Sequence, residues 1–370
     1  MSIILRWLLD LFLRVTRTLD WALIAPLVAL MAIALAVLYS AGGDNGTQLV
    51  IAQSARYVVG LGAMWALSWM SPLRLRDLTP TVFAATLIPL LLVLAIGTGK
   101  HGRHWLDLKL FYFQPSELLK LSLPMMAAWY LDRQWLPPRI GTVLIAAVII
   151  LVPTALVMLQ PDFGTAMLVA ISGAFVLFLA GLPWWWFALS FGGIAAAAPI
   201  AWFWFLRPYQ KDRILTFLDP ESDPLGTGWN IIQSKIAIGS GGMTGQGWGQ
   251  GSQSHLNYLP EHTTDFIFAV LSEEFGWMGV AVVLALYLFI VGRCLWIAAE
   301  SRDGYSRLLA GSLGLAFFVY VIVNGGMISG LLPVVGVPMP LLSYGGTAAV
   351  SLLAGIGVVM AVRNHRPIHA

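Results

Sequence analysis

The sequence predicts an all-α polytopic membrane protein with about ten transmembrane helices and a large, partly structured extracytoplasmic loop between helices seven and eight. Of its 370 residues, 58% are hydrophobic and 11% are charged, and the mean hydropathy is +0.80. A soluble domain needs a far less apolar composition to build its core. Apolar windows of about 20 residues also recur along the chain, and each is long enough to cross a bilayer as a helix.

The elements follow from this pattern in chain order. Residues 1–20 predict an amphipathic helix on the membrane surface, because apolar residues recur there at helical spacing with arginines between them. Ten candidate spans follow, beginning near Trp21, Leu49, Thr79, Pro115, Ile140, Gly164, Trp184, Asp265, Arg307 and Gly345. They form one integral membrane domain, with spans one to seven at 21–206, the extracytoplasmic loop at 207–264, and spans eight to ten with a short cytoplasmic tail at 265–370.

The basic residues predict the orientation of the chain. If the amino terminus lies in the cytoplasm, 12 of the 21 lysines and arginines fall on the cytoplasmic side and seven fall outside. This bias agrees with the positive-inside rule, so we expect both termini in the cytoplasm. Topology also accounts for the net charge of +3, and we therefore expect no nucleic acid partner.

The cations expected outside lie in two loops, around 98–114 and around 207–264. The second loop is unusually long, and its apolar residues are numerous enough to fold back onto the membrane face. Its glycine-rich piece GSGGMTGQGWGQGSQS permits tight turns and close approach of the backbone to a ligand. The piece lacks the strand and helix context of a nucleotide-binding loop.

In FQPSELLK, Glu117 and Lys120 lie one helical turn apart on the same face of the fourth span. An ionisable group inside a span costs about 2.5–3.5 kcal/mol at mid-membrane, so the pair should face a protein-lined cavity. The alternative is that Glu117 serves only the free amides of the helix start. For Asp162, beside the start of the sixth span, capping is the favoured interpretation.

The stretch LPEHTTDFIFAVLSEEFG places three carboxylates at the eighth span. We expect Asp265 in the first helical turn at the water boundary, with Thr263 or Thr264 as the cap. A carboxylate at that boundary can stay ionised and still touch a substrate. Glu273 and Glu274 would lie about 12 Å deeper and on different faces of the helix.

For Glu273 and Glu274, the favoured interpretation is internal ion pairing or hydrogen bonding, with Lys120 and Arg56 as candidate partners. An exposed carboxylate among outer cations, beside a membrane groove, suits a substrate with an anionic head and a lipid tail. The cations would hold phosphate, and the carboxylate would take a proton from an attacking hydroxyl. These residues point to transfer from a lipid pyrophosphate.

Three stretches, at 101–121, 219–276 and 330–346, resemble the SEDS (shape, elongation, division and sporulation) family, and the resemblance spans all ten predicted helices. It implies a peptidoglycan glycosyltransferase that polymerises lipid II on the outer face of the bacterial cytoplasmic membrane during cell elongation. Its implied partners are lipid II, a class B penicillin-binding protein that cross-links the product, and other elongation-complex proteins.

The resemblance also implies roles for individual residues. Asp265 matches the essential acid, Glu117 and Lys120 match the QPSE acid and its following lysine, and Arg103 and Arg213 match conserved basic elements of the family. In the mechanism that we expect, Asp265 deprotonates the acceptor 4-hydroxyl in a single inverting displacement. Lys235 joins the other cations in stabilising the undecaprenyl pyrophosphate that leaves.

The family further suggests a divalent cation, Mg²⁺ or Mn²⁺, although the sequence contains no recognisable ligand spacing for a metal. The single cysteine, Cys294, excludes an intrachain disulfide and a cysteine-based metal cluster. Two other classes of function remain open: a lipid II flippase and a non-catalytic scaffold of the wall-synthesis complex. A flippase would move headgroups across a bilayer without forming glycosidic bonds, and a scaffold would tolerate Asp265→Asn.

Overall fold

The computed structural model describes residues 18–98, 104–107, 109, 112–204, 206, 208–222, 228–252, 259 and 261–365. Nearly all of the predicted surface helix at 1–20 lies outside these ranges. Within them the chain forms twelve α-helices and one short hairpin. The elements are α1 Trp21–Ala41, α2 Gly46–Ser68, α3 Pro72–Ile96, β1 Leu106–Asp107, β2 Tyr112–Phe113, α4 Pro115–Leu131, α5 Ile140–Met158, α6 Phe163–Leu179, α7 Trp184–Trp204, α8 Pro208–Leu218, α9 Trp229–Gly241, α10 Ile267–Glu300, α11 Gly304–Ile328 and α12 Thr347–Asn364.

Ten of these helices lie at the predicted spans, and α8 and α9 lie in the long loop. Eight of the described helices are long and apolar enough to cross a membrane. The other two of the ten, α4 and α6, have 17 residues each, which is the lower end of the length needed to span the hydrocarbon core. The predicted fold class, an all-α multi-pass membrane protein, is confirmed.

Side-chain caps fix the starts of several helices. Asp20, Ser71, Asp162 and Asp303 accept hydrogen bonds from first-turn amides of α1, α3, α6 and α11. Each cap satisfies an amide that the helix itself leaves without a partner. The prediction that Asp162 caps the sixth span is confirmed, with 3.1 Å between its Oδ1 and the Thr165 amide nitrogen.

One end of the bundle is closed by a buried carboxylate. Asp20, 2% exposed, accepts from Arg293 of α10 at 2.9 Å and lies 3.3 Å from the Arg363 guanidinium of α12. Nearby, the Asn364 side chain donates to the carbonyls of Thr18 and Ser68. These contacts hold the start of α1 and the ends of α2 and α12 together.

Helix α10 does not run unbroken. Gly276 has φ 60° and ψ −161°, so the helix is interrupted there and a shorter segment, 267–275, precedes the long span. The glycine-rich loop after α9 packs directly on this break. Amides of Gln246 and Gly247 donate to the carbonyls of Glu273 and Glu274, and the Trp277 amide donates to the Gly242 carbonyl.

The segment between α11 and α12, residues 329–346, is called the connecting loop here. Much of it is buried, including Val337, Met339 and Leu342. Tyr57 of α2 donates to the Leu341 carbonyl at 2.7 Å, and Tyr287 of α10 donates to the Pro340 carbonyl at 2.6 Å. Irregular backbone can lie inside a membrane protein only where protein or a cavity satisfies it, and these tyrosines do so.

Candidate functional site

Asp265 lies in a run of turns, residues 261–266, which is called the carboxylate turn here. Its side chain is half-buried. Helix α10 begins at Ile267, and its cap residue Phe266 offers no side-chain hydrogen bond. The expectation that Asp265 occupies the first helical turn behind a Thr263 or Thr264 cap is therefore wrong. The residue precedes the helix because the Phe266 and Thr264 amides bond back to the Glu261 carbonyl.

The backbone of Asp265 is fixed by a buried amide. Asn324 of α11 is 0% exposed, and its Nδ2 donates to the Asp265 carbonyl at 2.9 Å and to the Val337 carbonyl at 2.7 Å. The preceding residue of the connecting loop, Gly336, lies beside the carboxylate itself, since a Cβ there would be 3.6 Å from Asp265 Oδ2. The connecting loop thus forms one wall beside the candidate acid.

Glu117 and Lys120 form an ion pair at the start of α4. The Lys120 Nζ lies 2.5 Å from Glu117 Oε1, and Ser351 of α12 donates to Glu117 Oε2 at 3.0 Å. The ammonium also lies 5.0 Å from the centre of the Tyr320 ring. Each buried charge therefore has a partner of opposite sign, and removing either one would leave the other uncompensated.

This pair lines a small pocket, one wall of which is the connecting loop. Pro338, Met339 and Ser343 contribute to the lining. The prediction that Glu117 and Lys120 face a protein-lined cavity is confirmed. Val337 touches the Asn324 amide while Pro338 lines the pocket, so Asp265 and the ion pair lie against adjacent residues of one loop.

A short hairpin leads into the same region. Strand β1 pairs antiparallel with β2, and Trp105 exchanges backbone hydrogen bonds with Thr98. The hairpin ends at Gln114, which donates to Asp162 Oδ2 at 2.9 Å. This bond ties the starts of α4 and α6 together beside the ion pair.

The other predicted cations lie apart or beyond what the structure describes. Lys235 of α9 is exposed and lies over Gly330, where a Cβ would be 2.8 Å from its Nζ. That position is at the end of α11, the helix that carries Asn324. Arg213 lies within α8, but its side chain is outside the described part of the structure, and Arg103 lies outside the described residues altogether.

Glu273 and Glu274 are buried, at 0% and 1% exposure. Glu273 accepts from the Ser252 hydroxyl at 3.1 Å, and Glu274 accepts from the Ser40 hydroxyl and from the Gly249 amide. Internal hydrogen bonding is confirmed.

The predicted partners Lys120 and Arg56 are wrong, because Lys120 pairs with Glu117 and Arg56 hydrogen bonds with Gln53 and Tyr344. The break at Gly276 explains why the carboxylates are accepted there, since they lie before the long span rather than inside it. The close backbone approach that the glycine-rich loop permits is made to this segment of the protein.

The described residues do not supply a ready-made metal site. No group of three or more histidine, cysteine, aspartate or glutamate side chains that could hold an ion occurs among them. Asp265 offers one carboxylate. Mg²⁺ commonly binds one or two carboxylates together with substrate phosphates, so an ion would fit here only with substrate present.

Sequence reasoning missed Asn324 and Tyr344, which frame Asp265, and assigned Arg56 to other partners. Asn324 contacts the connecting loop, Arg56 contacts Tyr344 of that loop, and the Tyr344 amide donates to the Thr263 carbonyl at 3.0 Å. One signal was present, because Asn324 and Arg56 are polar residues inside apolar spans. Such residues usually hydrogen bond across helices or mark a functional site.

Nearly the whole chain resembles proteins of one known family. Residues 15–367 match the family of FtsW, RodA and SpoVE cell cycle proteins. The peptidoglycan glycosyltransferase MrdB of Escherichia coli K12 is 46% identical over 349 residues, which cover 94% of each chain. The peptidoglycan glycosyltransferase RodA of Treponema pallidum is 31% identical and covers 93% of this chain and 97% of its own.

Two solved structures share the architecture. A chain from a peptidoglycan synthase complex, studied for the coordination of polymerization and crosslinking, is 32% identical with a TM-score of 0.83, covering 95% of this chain and 99% of that one. The rod shape determining protein RodA of Thermus thermophilus is 29% identical with a TM-score of 0.72, covering 94% and 98%.

Proposed function

Since the chain belongs to the family of FtsW, RodA and SpoVE cell cycle proteins, we propose that it is a peptidoglycan glycosyltransferase that polymerises lipid II into glycan strands. The observation that carries the proposal is the placement of Asp265. Its carboxylate is half-buried beside Gly336, while Asn324 holds its backbone. A group fixed in this way can meet a substrate hydroxyl in one geometry, as general base catalysis requires.

In the proposed reaction, Asp265 accepts the proton of the acceptor sugar's 4-hydroxyl as that oxygen attacks the anomeric carbon of the donor. The new oxygen–carbon bond forms while the bond from that carbon to the phosphate oxygen breaks. The electron pair leaves with undecaprenyl pyrophosphate, and the configuration inverts. A single displacement needs only one carboxylate, unlike the two-carboxylate scheme of retaining glycosidases.

Cations would stabilise the negative charge that develops on the diphosphate. Lys120 lines the pocket that adjoins Asp265 across the connecting loop, and Lys235 lies at the end of α11. We assign Glu117 the task of holding Lys120 in place. Arg103 and Arg213 complete the proposed set on the strength of the family resemblance. A divalent cation would add to this neutralisation, and Asp265 is the described residue that would help to hold it.

We place the protein in the bacterial cytoplasmic membrane with both termini in the cytoplasm and the site open to the outside. The excess of basic residues in the loops assigned to the cytoplasm supports this orientation. The proposed partners are a class B penicillin-binding protein and other elongation-complex proteins. The likeness to a chain of a peptidoglycan synthase complex supports a partner of this kind.

The decisive experiment incubates purified protein with lipid II and separates the products on a gel. The wild-type protein should make glycan strands, and Asp265→Asn should bind lipid II yet make none. Glu261→Gln is the matched control, because Glu261 is an exposed carboxylate in the same turn that hydrogen bonds only with Thr264 among the described side chains. It should polymerise as the wild type does.

Full polymerisation by Asp265→Asn would refute the assignment of the base. A wild-type protein that moves lipid II across vesicle bilayers but forms no glycosidic bond would instead be a flippase. A third arm adds a chelator to the wild-type reaction and restores Mg²⁺ or Mn²⁺. Loss and recovery of polymerisation would support a metal ion, and unchanged activity would refute one.

A further inference from the structure

Arg56 lies inside the membrane span α2, and no described residue supplies it with a counter-ion. It is ten residues beyond the helix start at Gly46, or about 15 Å along the axis. Four other described cations are paired with carboxylates, namely Lys120 with Glu117, Arg293 and Arg363 with Asp20, and Arg76 with Asp132. No carboxylate of the described residues lies within 4 Å of Arg56. An uncompensated charge at this depth is costly, so it calls for a partner.

The neutral groups around Arg56 hold it in one orientation. Its Nη1 donates to Gln53 Oε1 at 3.2 Å and its Nη2 donates to the Tyr344 hydroxyl at 3.1 Å. The guanidinium lies 4.2 Å from the centre of the Tyr344 ring. The Nε–H and the second hydrogen on each Nη have no partner among the described residues. A guanidinium whose N–H donors are held in a fixed orientation is well suited to bind a phosphate group.

The guanidinium of Arg56 lies beside the N-terminus of α12. Its Nε would lie 3.6 Å from a Cβ at Gly346, the residue that caps α12. No side chain of the described residues caps the first-turn amides of α12, whose N-terminus carries the positive end of the helix dipole. Gly345 and Gly346 leave space there for an anion to approach the backbone.

We propose that Arg56, supported by the N-terminus of α12, binds the phosphate groups of a polyprenyl diphosphate lipid. We infer that the ligand is a lipid from the depth of Arg56 in the membrane. A phosphate that reaches this far along α2 must be attached to a chain that enters the membrane. The site deepens the proposed function and rests on it for the identity of the lipid. It also adjoins the candidate base, since the Tyr344 amide bonds to the Thr263 carbonyl, two residues before Asp265.

The test measures binding of geranylgeranyl diphosphate to the purified protein in phosphatidylcholine nanodiscs. Wild type, Arg56→Gln, Arg56→Lys and the control Arg74→Gln are compared, and Arg74 is an exposed arginine at the opposite end of the bundle. Arg56→Gln should weaken diphosphate binding at least about tenfold, as loss of a charge-assisted contact predicts. Arg56→Lys should retain part of the affinity, and Arg74→Gln should retain all of it.

Further arms identify the ligand. Geranylgeraniol should bind wild type and Arg56→Gln equally, because only the phosphates touch Arg56. Inorganic pyrophosphate and phosphatidylglycerol should compete weakly. Equal diphosphate binding by wild type and Arg56→Gln would overturn the proposal, as would a matching loss of geranylgeraniol binding or full competition by phosphatidylglycerol.

Scoring lipid II polymerisation on the same preparations separates the two proposals. Arg56-dependent diphosphate binding without any glycan product from wild type would refute the glycosyltransferase and leave the anion site standing. Glycan synthesis by a wild type whose diphosphate binding does not depend on Arg56 would do the opposite.

Discussion

At the residue scale, Glu117 and Lys120 show most directly how burial and charge oppose each other. Their side chains are 6% and 12% exposed, and the contact between them is 2.5 Å. Taking two charges out of water costs several kcal/mol, and their attraction offsets this only while both partners remain. Apolar residues would fill the same space at lower cost. The presence of a cation here is better explained by an anionic substrate than by packing.

We expect Lys120→Met to destabilise the protein by about 3–5 kcal/mol, because Glu117 would remain buried without its cation. The double variant with Glu117→Gln removes both charges and should recover most of that stability. Polymerisation should nevertheless be lost in both variants, since the cation that we propose for the leaving diphosphate is gone. Thermal unfolding in detergent and the lipid II gel assay measure the two quantities separately.

The matched control for the pair is Arg76→Met. The Arg76–Asp132 contact is 3.3 Å long, but the arginine side chain is 34% exposed, so its loss should cost less than about 1 kcal/mol. If the double variant at 117 and 120 polymerised lipid II as the wild type does, the ion pair would be structural only.

At the element scale, the break in α10 determines where the carboxylates lie. The backbone at Gly276 has a positive φ of 60°, so the short helical segment 267–275 ends there and the long span begins after it. The backbone of the glycine-rich loop occupies the space on one side of the break, and a Cβ on Gly276 would lie 2.8 Å from the Thr244 nitrogen. Both features exclude side chains at this position.

We therefore expect Gly276→Ala to destabilise the protein by about 1–3 kcal/mol from backbone strain, and by more from the clash with the loop. The control in the same helix is Gly292→Ala, where the structure leaves open space for a Cβ. Alanine is the better helix former, so that change should be neutral or slightly stabilising. Thermal unfolding midpoints of the two variants should differ by several degrees, and equal midpoints would contradict the account of the break.

The break itself could not be predicted from the sequence. Gly276 is flanked by apolar residues that continue the helical pattern, and an isolated glycine inside a helix is tolerated at a cost of about 1 kcal/mol. What makes the glycine essential is the backbone of residues 243–245, which the fold brings beside it. The start of α10 was misjudged for a similar reason, because backbone bonds to Glu261 hold Asp265 outside the helix.

At the scale of the whole molecule, the ten spans could be predicted because the signal for each is local. A transmembrane helix satisfies its own backbone hydrogen bonds and needs only a sufficient length of apolar residues. The frame of the candidate site depends on contacts between distant parts of the chain. The bonds from Tyr57 to Leu341 and from Tyr344 to Thr263 place the connecting loop inside the bundle, and no periodicity in the sequence specifies them.

The two ends of the bundle differ, and the difference tests the proposed orientation. His262 Nε2 lies 3.1 Å from the Ala41 carbonyl at the end that carries Asp265, whereas the Asp20 cluster closes the other end. Cys294 is 0% exposed, so the wild type should stay unlabelled by a membrane-impermeant maleimide. In right-side-out spheroplasts, Glu261→Cys should be labelled at once, and Arg302→Cys only after permeabilisation. Both residues are exposed in the structure. The reverse pattern would place the candidate site in the cytoplasm and exclude glycan synthesis on the outer face.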